Sequence, residues 1–186
     1  MACARSSNGP LRPVAAFLVL LALAAAGAHA ATLKPMDLGE LATESSVIVA
    51  ARVVDVRPVW VRGGRQIDSV VTVEVLASFK GEPGRTLSFV TPGGQIGDLR
   101  TVAPGAPEFS TGSELVLFVS AGGSERAATL VGLGQGVLPV VRDAQGTQRV
   151  RAPIRVPGQD EARLPVRISL TFAELAQQLA RARSRQ

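Results

Sequence analysis

The stretch FVTPGGQIGDLRTVAPGAPEF, residues 89–109, has glycines at a spacing that could cradle phosphate. Gly93, Gly94 and Gly97 follow a strand-like run in a Pro-Gly-Gly-x-x-Gly order. A phosphate loop works because its glycines let backbone N–H groups converge at a helix N-terminus, where the dipole favours an anion. The strand is present here, but the helix is not. Pro104 and Pro107 interrupt the residues beyond Gly97, helical periodicity is absent, and no Gly-Lys-Ser/Thr appears. Nucleotide binding is therefore not expected. What remains is a connector of about 22 residues without regular structure, and such connectors in compact domains are often functional or disordered. Leu99 and Phe109 offer apolar anchors. The stretch thus reads as a packed surface loop with either a structural or a partner-binding role.

The other chemistries are limited by what the chain lacks. Arg5 and Arg12 precede an apolar run over residues 14–26, and Ala28 and Ala30 form an A-x-A cleavage pattern. Residues 1–30 therefore read as a cleaved secretory signal. The run is too short for a membrane span of roughly 20 residues. Cleavage near Ala30 would remove Cys3 and His29, the only cysteine and the only histidine, and the chain has no tyrosine. Histidine acid–base catalysis, cysteine nucleophiles and Cys/His zinc sites are then not expected. Lys34 and Lys80, the only lysines, are poorly placed to activate a serine, and no calcium-loop run of alternating Asp occurs. No cofactor or metal is expected. Paired carboxylates could still hydrolyse a glycoside if two faced each other in a cleft.

The elements that position these residues follow from periodicity and caps. Asp37 and Glu40 form a capping box for a short helix, with Met36 and Leu41 at the staple positions. VIVAARVVDVRPVW is a strand whose alternation slips near Val53, which predicts a bulge. RGGR turns into IDSVVTVEVLASF, and KGEPGR turns into TLSFV. ELVLFVSA is a short buried strand, and TLVGLGQGVLPVV a longer one broken by Gly132, Gly134 and Gly136. RDAQGTQ is a hairpin turn leading to RVRAPIRV, an edge strand limited by Pro153 and Pro157. A final helix opens at Thr171, with Glu174 completing the box and Leu170 and Leu175 as staple. The pattern predicts a mainly β fold, a small antiparallel barrel with one helix near each end. Residues 31–157 form the barrel domain, and residues 158–186 a basic linker and helix.

The formal charge is +5 and is unevenly spread. Residues 31–141 carry nine cations against eleven anions, whereas residues 142–186 carry nine against four. Single-stranded nucleic acid needs aromatic stacking beside a basic groove. Only Trp60 and five phenylalanines lie beyond the signal, and none is interleaved with the arginines. Nucleic acid is not an expected partner.

Two likenesses enter on specific residues. Residues 45–81, with Ser46 to Val53 as first strand and Phe79-Lys80-Gly81 as an aromatic-Lys-Gly turn, resemble the opening hairpin of the netrin-like module. That module is the OB-type barrel of the tissue inhibitors of metalloproteinases. FSTGSELVLFV resembles a later strand of the same module. The pattern of Trp60, Ile67, Val71, Lys80, Gly93-Gly94, Gly97, Gly105, Pro107, Phe109, Gly112 and Gly132-Leu133-Gly134-Gln135-Gly136 is also similar to a group of uncharacterised secreted bacterial proteins. The netrin-like resemblance implies an OB-like barrel and a binding role, with an exported protease as one partner class, whereas the second likeness implies no established activity. The inhibitors chelate zinc through an N-terminal cysteine, whereas the start expected here is Ala31-Thr32, so that mechanism does not transfer.

The leading expectation is a secreted or periplasmic, non-enzymatic module that binds an exported protein. Its contact residues would be Trp60, Gly93, Gly94, Gly97, Leu99 and Phe109. Trp60 suits either a core or a contact surface. Two alternatives stand beside this reading. One is an envelope protein whose basic C-terminal region meets anionic polymers; the other is a carboxylate-based hydrolase.

Overall fold

A computed structural model describes residues 34–122, 127–155 and 164–183. The predicted signal with Ala28 and Ala30, most of the expected linker and the last residues lie outside the described residues. The fold is mainly β with two helices. Helix α1 (Leu38–Glu44) precedes strands β1 (Val47–Val61), β2 (Gln66–Lys80) and β3 (Thr86–Pro92). A small hairpin, β4 (Gly94–Ile96) and β5 (Leu99–Thr101), is followed by β6 (Glu114–Ser120), β7 (Thr129–Leu130), β8 (Val137–Arg142) and β9 (Gln148–Ile154). Strand β10 (Val166–Thr171) runs into helix α2 (Phe172–Arg183).

The main sheet has the order β1-β2-β3-β7-β6-β8-β9-β10, and β1 also pairs with β6. Strands β1, β2, β3, β7 and β6 therefore form a hydrogen-bonded circuit. Its weakest joint is the single parallel pairing of Val90 with Thr129. Of the expected OB-like barrel, this circuit is what the structure shows.

Strands β1 and β6 are covered on both faces, which explains why VIVAA and LVLFV are continuous apolar runs rather than alternating ones. Ile48, Ala50, Val116 and Phe118 face the helices, where they join Leu41, Leu175 and Leu179 in one core. Val49, Ala51, Val53, Leu115 and Leu117 face the other way, against Val71, Val73 and Phe89. The predicted slip near Val53 is a bulge: Val53 pairs with Val73, but Asp55 pairs with Thr72. Val54 is the extra residue and points outward, 44% exposed. Two-sided burial of β1 has already ended at Arg52, which is exposed.

Both capping boxes form. Asp37 Oδ1 accepts from Glu40 N–H at 2.9 Å, and Asp37 N–H donates to Glu40 Oε2 at 2.9 Å. Thr171 N–H donates to Glu174 Oε2 at 2.8 Å, and Thr171 Oγ1 accepts from Glu174 N–H at 3.3 Å. The staple residues Met36, Leu41, Leu170 and Leu175 share the helix-side core. The C-terminal region thus contributes Leu170, Leu175 and Leu179 to the same core as the strands.

Three expectations need correction. RVRAPIRV is not an edge strand: β9 pairs with β8 on one side and β10 on the other. Its second partner is VRISLT, a strand that runs directly into the helix cap at Thr171. TLVGLGQGVLPVV is not one interrupted strand either. It is the two-residue β7, a 3-10 turn over Leu133–Gly136, and β8. Finally, the connector after β3 is partly regular, because it contains the β4–β5 hairpin.

The turn at residues 133–136 has a definite task. Gln135 Oε1 accepts from Met36 N–H at 2.8 Å, and its Nε2 donates to Lys34 O at 3.1 Å. One side-chain amide thus holds the segment that leads into α1. Gln135→Leu would leave the partly buried Met36 N–H without an acceptor, and such orphaned groups cost about 1–3 kcal/mol. The urea midpoint is expected to fall correspondingly with an unchanged slope. An unchanged midpoint would mean that the segment is held by packing alone.

The aromatic-Lys-Gly turn is likewise structural. The rings of Phe79 and Phe172 meet edge-to-face at 5.9 Å, and Lys80 Nζ donates to Ala42 O at 2.7 Å. A cation there satisfies a carbonyl of the last turn of α1 and complements its dipole.

Candidate functional site

An open cleft of about 460 Å³ lies where the segment after β3 folds back across β1 and β2. Val56 and Pro58 line it from β1, Ser69 from β2 and Thr91 from β3. The hairpin contributes Gly94, Gln95, Arg100 and Thr101, and the returning segment brings Pro107, Glu108 and Phe109.

Ser69 and Thr91 are directly opposed across β2 and β3. Each occupies an inward position of its strand, continuing the rows of Val71 and Val73 on β2 and of Phe89 on β3. A polar pair therefore stands at the end of an otherwise apolar core. Ser69 Oγ donates to Gly93 O at 2.8 Å. Thr91 is 3% exposed, and its Oγ1 has no hydrogen-bond partner among the described residues.

The glycines answer the phosphate question. Gly93 N–H, which a phosphate cradle would need, donates to Ile67 O at 3.2 Å. Thr101 Oγ1 accepts from Ile67 N–H at 3.0 Å. The hairpin is thereby stitched to the end of β2. Gly93 has a φ of +101°, which L side chains rarely adopt. At Gly94 the reason is space: a Cβ would fall 2.8 Å from Ser69 Oγ and 3.0 Å from Ile67 Cγ2. These glycines let one backbone lie on another, and their geometry is that of a clamp.

The expected contact residues divide into two sets. Gly93, Gly94 and Phe109 line the cleft, and Gly97 and Leu99 belong to the hairpin tip outside it. Phe109 anchors the returning segment, its ring meeting Phe89 edge-to-face at 5.5 Å. Leu99 is not the second anchor expected from sequence, because it is 61% exposed. Leu99 opens the three-residue β5 directly after the tight loop at the hairpin tip. Trp60 is an exposed residue near the end of β1, two positions from the lining residue Pro58. Val102, 72% exposed, is a third apolar group and lines the cleft.

Sequence reading passed over Ser69, Thr91, Val102 and the ion pair of Arg100 with Glu108. The available signal was the polar residue at an inward strand position, Ser69 in the row of Ile67, Val71 and Val73.

The charges of the cleft balance. Arg100 and Glu108 bind each other, and Glu108 is the one carboxylate among the described lining residues. The described lining of this cleft thus holds no facing carboxylate pair of the kind that glycoside hydrolysis uses. Among the described residues no group of three or more His, Cys, Asp or Glu could hold a metal ion. No helix among them is long and apolar enough to cross a membrane.

Several C-terminal arginines are engaged within the fold. Arg149 Nε lies 2.7 Å from Asp143 Oδ2 and holds that carboxyl below its ordinary range, with the Thr147 amide assisting. Arg155 reaches Asp37 at 3.3 Å and Glu40 at 3.6 Å, and Arg142 reaches Glu114 at 3.4 Å. Glu114 is held low chiefly by its bond to Arg52.

Together these features define a mainly β protein with a clamped hairpin over a neutral, half-apolar cleft. Comparison of the chain with protein-family models, with curated proteins and with solved structures finds no match.

Proposed function

We propose that the chain is an exported, non-enzymatic binding module for a protein partner. Its contact surface is the cleft with the exposed side chains of Trp60, Leu99 and Val102. The observation that carries this reading is the exposure of those three apolar groups beside a hairpin tied down by hydrogen bonds. Exposed aromatic and aliphatic groups next to a preformed concavity have the character of interface anchors. Tying down the hairpin that carries Leu99 lowers the ordering cost of association. The netrin-like resemblance adds an exported protease as one partner class. The alternative, a charge-held envelope role, would rest on the other arginines of residues 142–186, because Arg142, Arg149 and Arg155 pair with carboxylates of the same fold.

The test is affinity capture from the exported fraction of the source organism with the chain as bait, washed at low and at high salt. Charge-driven attachment weakens with ionic strength, while an apolar interface survives it. A defined protein retained at high salt is expected. Trp60→Ala is expected to weaken its binding at least about 30-fold, the lower bound of a hot-spot truncation. The melting temperature should stay within about 2 °C, since Trp60 contributes little to the core. Retention of anionic polymer alone, released by salt, would overturn the proposal. Equal capture by the Trp60→Ala, Leu99→Ser and Val102→Ser variants would move the interface elsewhere.

A further inference from the structure

With β9 paired on both sides, the main sheet ends at β10. Among the described residues no strand pairs with the outer edge of β10. Such an edge leaves backbone N–H and C=O groups open to another extended chain. Val166, Arg167, Ile168 and Ser169 are all exposed, so both faces of this run are open as well as its edge. Side chains alternate between the two faces. Val166 and Ile168 stand opposite Ile154 and Ala152, and continue the apolar row that Leu170 begins in the helix-side core. Arg167 and Ser169 occupy the other face, where Ser169 stands opposite Arg151.

Arg151 and Arg167 are therefore diagonal neighbours across β9 and β10, at a spacing of about 7–8 Å. Both are exposed, and among the described residues neither pairs with a carboxylate. Only the short Ser169 stands between Arg151 and the open edge. One face of the edge is thus apolar and the other cationic. A second copy of the chain matches this poorly. An antiparallel copy that covered both Val166 and Ile168 would centre on Arg167 or on Ile168. Either register sets the two Arg167 side chains opposite or diagonal to each other, within reach of like-charge repulsion. A bare anionic polymer would meet the arginines and leave the apolar row and the edge amides unused.

The geometry points to the outer edge of β10 as a strand-addition site for an extended segment of a protein partner that alternates acidic and apolar side chains. The segment extends the sheet by one strand. Main-chain hydrogen bonds hold it to β10, and its alternate side chains meet the two faces. Its apolar residues lie beside Val166 and Ile168, and its carboxylates reach Arg167 and Arg151. No residue of β9 or β10 lines the cleft, so this surface is separate from the one proposed above.

The test titrates the full chain, with its backbone amides labelled, with the acetylated and amidated peptide Glu-Val-Glu-Val-Glu-Val-Glu. The controls are Lys-Val-Lys-Val-Lys-Val-Lys, Glu-Ser-Glu-Ser-Glu-Ser-Glu, and the first peptide N-methylated throughout. The Glu-Val peptide is expected to shift the amide signals of Val166, Arg167, Ile168 and Ser169 at about 1 mM. Each control loses the charge match, the apolar contacts or the main-chain donors, and should bind at least about tenfold more weakly.

Arg167→Glu is expected to weaken the Glu-Val peptide about tenfold, since it turns an opposite-charge cross-strand pair into a like-charge one. The same variant should admit the Lys-Val peptide, and that gain requires a folded edge. No shift along β10 at 10 mM (on the order of the weakest useful affinity) would overturn the assignment. So would an Arg167→Glu variant that keeps the Glu-Val peptide or refuses the Lys-Val one. Equal binding of the Glu-Ser peptide would reduce the edge to an anion contact, and equal binding of the N-methylated peptide would remove strand addition. A dimer seen by sedimentation and dissociated by Ile168→Lys would give the edge to a second copy instead, which also overturns the assignment.

Discussion

Gly136→Ala is expected to yield no folded protein at 37 °C. A Cβ at this position would stand 2.1 Å from Val131 O and 3.2 Å from the Val131 carbonyl carbon. Both are backbone atoms, so no side-chain rotation relieves the overlap. Val131 itself cannot withdraw. It is buried in the helix-side core, and its N–H donates to Phe118 O at 2.9 Å. Retreat would break that bond and open the core behind it.

The φ of Gly136 is not positive, so the requirement is space rather than backbone conformation. A backbone overlap of this depth belongs with the exceptional mutations above about 4–5 kcal/mol, a large share of a total of about 5–15 kcal/mol. Gly146→Ala provides the contrast. Its φ is +80°, and nothing lies within 4 Å of the added carbon, so it should cost only about 1–2 kcal/mol of conformational strain. Soluble yield and thermal unfolding of the two variants check the prediction. A Gly136→Ala protein melting within a few degrees of the parent would mean that the turn over Leu133–Gly136 yields easily.

This contrast marks where sequence reading succeeds. Asp37 with Glu40 and Thr171 with Glu174 were legible because a capping box is local: both partners lie within one turn and each residue type has one task there. The bulge at Val54 was legible because the side-chain period of a strand is two, and one extra residue shifts the whole pattern. Glycines are different. The sequence places Gly146 in a hairpin turn and Gly136 in a strand-like run, but only the fold shows that one faces solvent and the other a carbonyl.

The same distinction applies to the candidate site. Gly93, Gly94 and Phe109 were found as a motif, but what they do depends on Ile67 and Ser69, more than twenty residues earlier. Lys80 appeared in a turn, and its target, the Ala42 carbonyl, is set by the packing of α1. Trp60 admitted two readings because burial is a property of neighbours rather than of residue type. Thr91 gave no signal at all. One threonine in a strand is ordinary, and its missing partner is visible only once the core around it is assembled.

Phe89→Ala is expected to lose both stability and the cleft. Phe89 is 1% exposed and packs with Val71, Val73 and Leu117. Truncating such a ring costs about 3–5 kcal/mol through lost transfer energy and the cavity left behind. The same ring is the edge-to-face partner of Phe109, at an interplanar angle of 68°. Stacks of this kind contribute about 0.5–1.5 kcal/mol beyond burial. Phe109 is where the returning segment meets the core, so its release loosens the side of the cleft that this segment forms.

A double-mutant cycle over Phe89 and Phe109 measures that link. The singles and the double variant are unfolded in urea, and a coupling of about 0.5–1.5 kcal/mol is expected. Phe109→Ala alone should cost less than Phe89→Ala, because Phe109 is only partly buried. It should nevertheless weaken binding of a cleft ligand at least as much as Trp60→Ala does. If the coupling is absent, Phe109 does not fix the segment. The shape of the cleft would then rest on the Gly93 and Thr101 bonds to β2, and Gly94→Ala would become the variant that removes binding. A full coupling with binding lost in Phe109→Ala would make the aromatic pair the route by which the core sets the geometry of the cleft.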